Sequence, residues 1–334
     1  MHADKPMSVV LCWHMHQPEY RDLRTGKVHL PWTYLHAIKD YVDMAAHLEA
    51  VPGARAVVNF APILLEQMDE YVAQIRGFLN GHGAIRDPML AELVEPALPG
   101  NPQERLKLMQ DCLRANQERI INRFRPYRQL ATMAEWYEEH PDSLIYASNQ
   151  FLADLLVWYH LGWMAESLRR KDPRIRQLQD KATNYTLHDR RGLLQIILEQ
   201  MESIVPRYRA LADSGQVELC MSPYAHPIVP LLLDMESARE AMPEAALPVT
   251  TRYPGGEVRS RWHLQRGREV FEHHFGRQPT GLWPSEGGVS QHALELFADS
   301  GFTWVASGGS VLDNSHDAHD LSLIHISEPT RPSP

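Results

Sequence analysis

Two short apolar runs constrain the fold more than any other feature of the chain. Ser8-Val-Val-Leu-Cys-Trp13 and Ala54-Arg-Ala-Val-Val-Asn-Phe60 both read as strands, and the first is continuous enough to predict a strand buried on both faces. Between them, from about Tyr34 to Ala50, the pattern is helical and closes at Pro52-Gly53. Pro62 follows at a position that favours the start of the next helix. A strand–helix–strand–helix opening implies a parallel sheet with helices covering it.

The pattern then changes. From about Arg86 to Ser214 no convincing strand appears, and amphipathic stretches cover Gln103 to Phe124, Ser148 to Arg170 and Leu187 to Ala212. This region reads as a helical insertion. Its aromatics Trp158, Tyr159, Trp163 and Tyr185 are spaced for core packing more than for a sugar groove. Gly215 marks the end of the last of these helices, and Gln216 to Cys220 forms a third strand. A helix over Glu257 to His274 leads to a fourth strand at Leu282-Trp283, and Phe302 to Ala306 forms a fifth.

The strands end alike. The first runs into His14-Met-His16-Gln-Pro18, the second into Asn59-Phe60, the third into Tyr224-Ala-His226, and the fourth into Trp283-Pro-Ser-Glu286. In a barrel of parallel strands these ends meet at one face, where such enzymes place their chemistry. Pro284 holds Trp283 extended, while Gly287 and Gly288 let a ligand approach beside Glu286. The plainer alternative puts Glu286 in the first turn of the helix that follows, where a carboxylate suits the dipole.

A formal charge of −9 without a long basic run argues against nucleic acid or an anionic membrane as partner. The scattered Cys12, Cys112 and Cys220 suit a reducing compartment, and the N-terminus lacks a signal-peptide pattern, so a cytoplasmic location is expected. No apolar run approaches membrane-spanning length.

Three ordered segments carry a resemblance to a known family. His14-Met-His16-Gln17-Pro18, then Gly215-Gln-Val-Glu218 with Tyr224-Ala-His226-Pro-Ile-Val-Pro-Leu231, then Trp283-Pro-Ser-Glu286, resemble signature regions of glycoside hydrolase family 57, in its α-amylase and amylopullulanase-like branch. The resemblance covers Met7 to Asp320. It implies an α/β fold, an incomplete (β/α)7-type barrel with the helical insertion between strands two and three. The activity it implies is that of a retaining α-glycosidase or glucanotransferase acting on an α-glucan or maltooligosaccharide. Glu286 matches the family's nucleophile. His16 and His226 match histidines that contact the sugar, with Trp283 in the same signature; His14 and Tyr224 are further candidates for substrate binding. Glu218 lies inside a strand and is open to a structural or a substrate-side role. No metal or other cofactor is expected.

The sequence also departs from that pattern. The family's acid/base is an Asp in a later signature region, and neither Asp313, Asp317 nor Asp320 matches it. Residues 1–320 are therefore expected to be a C-terminally truncated catalytic barrel, inactive as it stands. Ser307-Gly308-Gly309-Ser310 replaces a stretch where related sequences tend to be acidic. Leu321 to Arg331 reads, over eleven consecutive residues, as the translation of a transposase library adapter. Residues 321–334 are thus expected to be non-native, with no catalytic role for His325 or Glu328. Sequencing the parent locus checks this: a native gene that encodes Leu321 to Arg331 and stops after Pro334 would contradict it.

Two rival readings stand beside this one. His14, His16 and His226 could form a three-histidine metal site, as in a polysaccharide deacetylase or zinc α-mannosidase, although no Asp joins the His-x-His pair. Alternatively, the chain is a non-catalytic glycan-binding barrel.

Overall fold

The computed structural model describes residues 9–242, 244–250, 252–309 and 311. Within them lies one five-stranded sheet in the order β1 (Cys12–Met15), β2 (Ala56–Phe60), β3 (Val217–Met221), β4 (Gly281–Leu282) and β5 (Trp304–Val305), with every neighbouring pair parallel. The fold is α/β, as expected. Asp313, Asp317, Asp320 and segment 321–334 lie outside the described residues.

A single line of register crosses the sheet near its C-terminal edge: Met15 opposite Phe60, Phe60 opposite Met221, Met221 opposite Leu282, and Leu282 opposite Val305. Met15, Phe60, Met221 and Leu282 are fully buried in the core. Successive residues of a strand face opposite sides. Hence His14 and Asn59, one step before this line, share the other face, and His16 and Trp283 emerge one step beyond it.

β1 differs from expectation in two ways. It begins at Cys12 rather than Ser8 and continues through His14, because His14 pairs in register with Asn59 of β2. It is also not buried on both faces. β1 is an edge of the sheet, and Val9, Val10 and Leu11 just before it are 71%, 71% and 51% exposed.

Helices pack around the sheet. The segment 32–50 is one helical run, Trp32–His36 and Val42–Ala50 joined through a π-helical turn at Ala37–Tyr41. α1 (Pro62–Leu79) starts on its proline as expected. From α1 to β3 the described chain contains helices and loops only. Within that region α2 (Asn149–Trp163) is buried from Phe151 through Trp163, the pattern of a helix surrounded by others. Trp158, Tyr159 and Tyr185 are core residues, at 2%, 0% and 2% exposure. The expected helix from Gln103 to Phe124 is divided into Pro102–Cys112 and a π-helical turn at Gln117–Ile121, the latter capped by the Asn116 side chain on the Arg119 amide.

α3 (Leu187–Asp213) opens with a reciprocal Thr186–Asp189 cap and closes at Gly215, whose φ of 74° reverses the chain into β3. α4 (Gly256–Phe275) and α5 (Gln291–Asp299) flank β4 in the chain, and α4 packs on β3 and α1. Among the described residues no helix is long and apolar enough to cross a membrane.

The short β4 and β5 hold together through a side-chain lock. The Trp304 indole donates to Glu218 of β3 at 2.7 Å, and the Thr280 hydroxyl donates to the same oxygen at 3.2 Å. This gives Glu218 a structural part. The indole also covers Gly281, where an added Cβ would lie 2.0 Å from the ring. Gly281→Ala is therefore expected to displace Trp304 and destabilise the fold by about 1–3 kcal/mol, the usual range for overpacking. Chemical denaturation checks this, and a change within about 0.5 kcal/mol, the scale of an ordinary surface substitution, would contradict it.

Candidate active site

The C-terminal edge of the sheet gathers residues from β1, β2, β3 and β4. His14 lies within β1 and His16 just after it; His226 follows β3 by a short loop, and Trp283 and Glu286 follow β4. The His16 and His226 rings stack with centroids 3.9 Å apart at 19°. His14 lies 5.4 Å from His16 and 5.0 Å from His226, and stacks on Trp283 at 5.2 Å. The sequence places His226 and Trp283 far from His14 and His16; parallel pairing brings them together.

Asn59 orients one imidazole. Its Oδ1 lies 2.6 Å from His14 Nδ1 and also accepts from the Ser222 hydroxyl at 3.1 Å. With that oxygen as acceptor, neutral His14 carries its proton on Nδ1 and keeps a lone pair on Nε2. Asn59 is fully buried, so this tautomer is held by a side chain anchored in the core.

Glu286 occupies a distinctive backbone position. Pro284 ends β4 after the Trp283 amide has donated to Met221 at 2.8 Å, and a single turn, Ser285–Gly287, follows. Glu286 sits in that turn at φ 57°, ψ 19°, and α5 begins only at Gln291, capped by Ser290. The carboxylate is therefore not in the first turn of the helix. Four non-glycine residues among those described have positive φ, and two of them are His226 and Glu286. Left-handed backbone costs on the order of 1–2 kcal/mol per residue, and such strain concentrates where a side chain must be aimed. Gly287, at φ 68°, receives the Ser307 hydroxyl on its carbonyl at 2.8 Å, so the loop after β5 braces this turn.

The Glu286 side chain is 73% exposed, with Oε1 4.0 Å from His226 Nδ1. That separation exceeds a hydrogen bond. Burial, followed by repulsion from His16 and His14, pushes His226 down to about 3, while burial and then His14 push His16 down to about 4. Burial also lowers His14, opposed by its bond to Asn59 and the charge of Glu286. At neutral pH the contact with Glu286 is thus between a carboxylate and a neutral imidazole. An unfolded imidazole titrates near 6.5. The unfolded chain therefore binds more protons than the folded one between pH 6.5 and about 4, and these groups withdraw stability as pH falls through that window. Ring-proton NMR should show no midpoint for His16 or His226 above about pH 5, whereas midpoints near the ordinary value of about 6.5 would contradict this.

The ring nitrogens of His14, His16 and His226 all lie within 4.8 Å of one another, close enough to consider a metal. The stacking argues otherwise. Imidazole lone pairs lie in the ring plane, and two nearly parallel rings 3.9 Å apart direct theirs side by side rather than at one ion. Tyr224 turns elsewhere: its hydroxyl donates to Glu66 of α1, and its ring meets Trp262 of α4 edge-on at 5.4 Å and lies under Arg266. Asn59 and Ser222 are the positioning residues whose partners sequence spacing does not reveal. Asn59 carries a visible signal, a polar residue at the end of an apolar run, but its pairing with His14 does not.

The glycosyl hydrolase family 57 model matches residues 10–332. The chain belongs to that family. The matched span includes both edges of the site, from His14 to Glu286, and runs beyond Asp320. Solved structures similar to this family 57 chain include an α-amylase from Thermotoga maritima, with 13% identity and a TM-score of 0.41 over 89% of this chain and 39% of that one. A GH57-type branching enzyme from Pyrococcus horikoshii shares 18% identity at a TM-score of 0.38, over 89% of this chain and 41% of that one. A GH57 branching enzyme from Thermococcus kodakaraensis, solved with glucose and additives, shares 16% identity at 0.39, over 89% and 39%. The chain thus spans about two fifths of the length of these structures. No curated protein matches it.

Proposed function

We propose that this family 57 chain carries the nucleophile half of a retaining α-glucan-active site, in a glycoside hydrolase or glucanotransferase built on a (β/α)7-type barrel. The observation that carries this reading is the aim of Glu286. An exposed carboxylate stands on a left-handed turn at the end of β4, 4.0 Å from His226, beside His16, His14 and Trp283.

In the proposed reaction the Glu286 carboxylate attacks the anomeric carbon of an α-glucoside. The C1–O bond breaks, its electron pair leaves with the aglycone oxygen, and a glycosyl ester forms on Glu286. A second attack, by water or by a sugar hydroxyl, releases the product with retained configuration. Neutral His14, His16 and His226 hydrogen-bond sugar hydroxyls without competing with Glu286 for the anomeric carbon. Such contacts raise the rate when they strengthen as the ring flattens toward an oxocarbenium ion. The acid/base lies about 5–5.5 Å from the nucleophile in retaining enzymes, and we assign it to none of the described residues. Without it, an unactivated glucoside has no assisted departure of its leaving group. We accordingly place this chain with enzymes in mechanism and expect slow or no turnover of native glucan.

A substrate whose leaving group needs no proton tests this directly. α-Maltosyl fluoride releases fluoride unassisted, so the chain should form a glycosyl-enzyme that intact-mass spectrometry detects. Stoichiometric zinc retained through dialysis and required for activity would instead favour the metal-dependent reading.

A further inference from the structure

A cavity stands apart from the imidazole cluster. It has a volume of about 750 Å³ and lies among segment 32–50, the turn at Gln117–Ile121 and the junction of α2 with the helix Glu166–Lys171. Its lining includes none of His14, His16, His226, Trp283 or Glu286. Ligand sites typically occupy about 300–1,000 Å³, so the space is of the right order.

Both π-helical turns among the described residues border this one cavity. Ala37–Tyr41 contributes Lys39 and Asp40, and Gln117–Ile121 contributes Glu118, Arg119 and Ile120. π-helical turns are rare, and one set inside a helical run, as Ala37–Tyr41 is, occurs often at functional sites because the extra residue re-aims side chains. Two of them converging from parts of the chain some eighty residues apart is an arrangement that packing alone does not require.

The walls are stapled to one another. The Ala165 amide donates to Ile38 within the first π turn at 3.0 Å. Asp43 accepts from the Glu166 and Ser167 amides at 2.7 and 2.8 Å. Arg123, just past the second π turn, donates to Glu166 at 2.6 Å, and Arg169 donates to the same oxygen at 2.7 Å. The cavity therefore does not have to be organised by its ligand, which lowers the entropic cost of binding.

Its charges cancel. Lys39, Arg119, Arg123 and Arg169 stand against four carboxylates, so neither an anion nor a cation is selected. Trp163, which lines the cavity, is 7% exposed and has a buried indole N–H without an acceptor. A stiff, balanced mixture of donors and acceptors suits a neutral polyhydroxyl ligand, with hydroxyls that both give and receive hydrogen bonds. We infer that this cavity is a second glycan-binding site for a neutral oligosaccharide, an α-glucan segment if the catalytic reading above is right, separate from the residues that carry the reaction.

The test uses the 334-residue chain and maltohexaose, followed by calorimetry. The Trp283→Ala variant should still bind maltohexaose. Adding Asp40→Ala and Arg119→Ala should then weaken that binding at least tenfold. Arg119 is exposed, so Arg119→Ala alone supplies a variant whose folding is not at risk, and it should show the same direction of change. Binding that is lost in Trp283→Ala alone, or unchanged in the cavity variants, overturns the inference while leaving the catalytic reading intact. If maltohexaose does not bind at all, the α-glucan reading fails, and cellohexaose and laminarihexaose decide the cavity. Binding of either that the cavity variants abolish supports the inference, and binding of neither overturns it.

Discussion

Replacing Glu286 with glutamine should lower turnover of an activated α-glucoside such as α-maltosyl fluoride by at least about 10³-fold, equivalent to some 4 kcal/mol of barrier. Glutamine keeps the size and hydrogen-bonding reach of the side chain but cannot form the glycosyl ester. Because Glu286 is 73% exposed, the substitution should leave thermal stability unchanged. The smaller Glu286→Ala variant opens space beside His226, so azide should enter and attack the anomeric carbon in place of the carboxylate. A single displacement inverts configuration, and the product should be the β-glycosyl azide. Activity of Glu286→Gln within about tenfold of the parent, or a glycosyl azide with retained configuration, would falsify the nucleophile assignment.

Removing either of the stacked imidazoles should come next in size. His16→Ala and His226→Ala are each expected to weaken transition-state stabilisation by about 2–4 kcal/mol, the range for preorganised donors. The two substitutions should not be additive, because the rings stack at 3.9 Å and each fixes the other's position. kcat/KM on an activated glycoside is the quantity to measure, with a melting curve for each variant to exclude unfolding. The effect of His226→Ala should also exceed that of Tyr224→Ala, because His226 faces Glu286 whereas Tyr224 is engaged with Glu66, Trp262 and Arg266. Equal losses for His226 and Tyr224 would mean that the site extends along α4 and is not centred on the imidazoles.

Much of this arrangement was legible in the sequence. Strand-like segments located all five strands, four of them marked by the polar or aromatic residues at their ends, because a parallel sheet exposes those ends at one face. Helix boundaries followed from Pro62, Pro52-Gly53 and Gly215, residues whose backbone preferences act locally. Features set by partners distant in sequence were not legible. β1 continues through His14 because Asn59 pairs with it, and residues 9–11 are exposed because β1 is a sheet edge. Nothing near Glu218 announces Trp304, which claims its carboxylate across β4. The two π-helical turns fall inside stretches that read as ordinary helix. Glu286 was legible as a residue type in a motif. Its left-handed backbone was not, because non-glycine residues rarely adopt it and local sequence gives no warning.

The most direct measurement is the site of covalent labelling. The chain is incubated with α-maltosyl fluoride, quenched in acid and digested, and the modified peptide is sequenced by mass spectrometry. A single maltosyl ester on Glu286, absent from the Glu286→Gln variant, is the predicted result. A maltosyl group on any other carboxylate, or an unchanged yield of labelled peptide in Glu286→Gln, would contradict it.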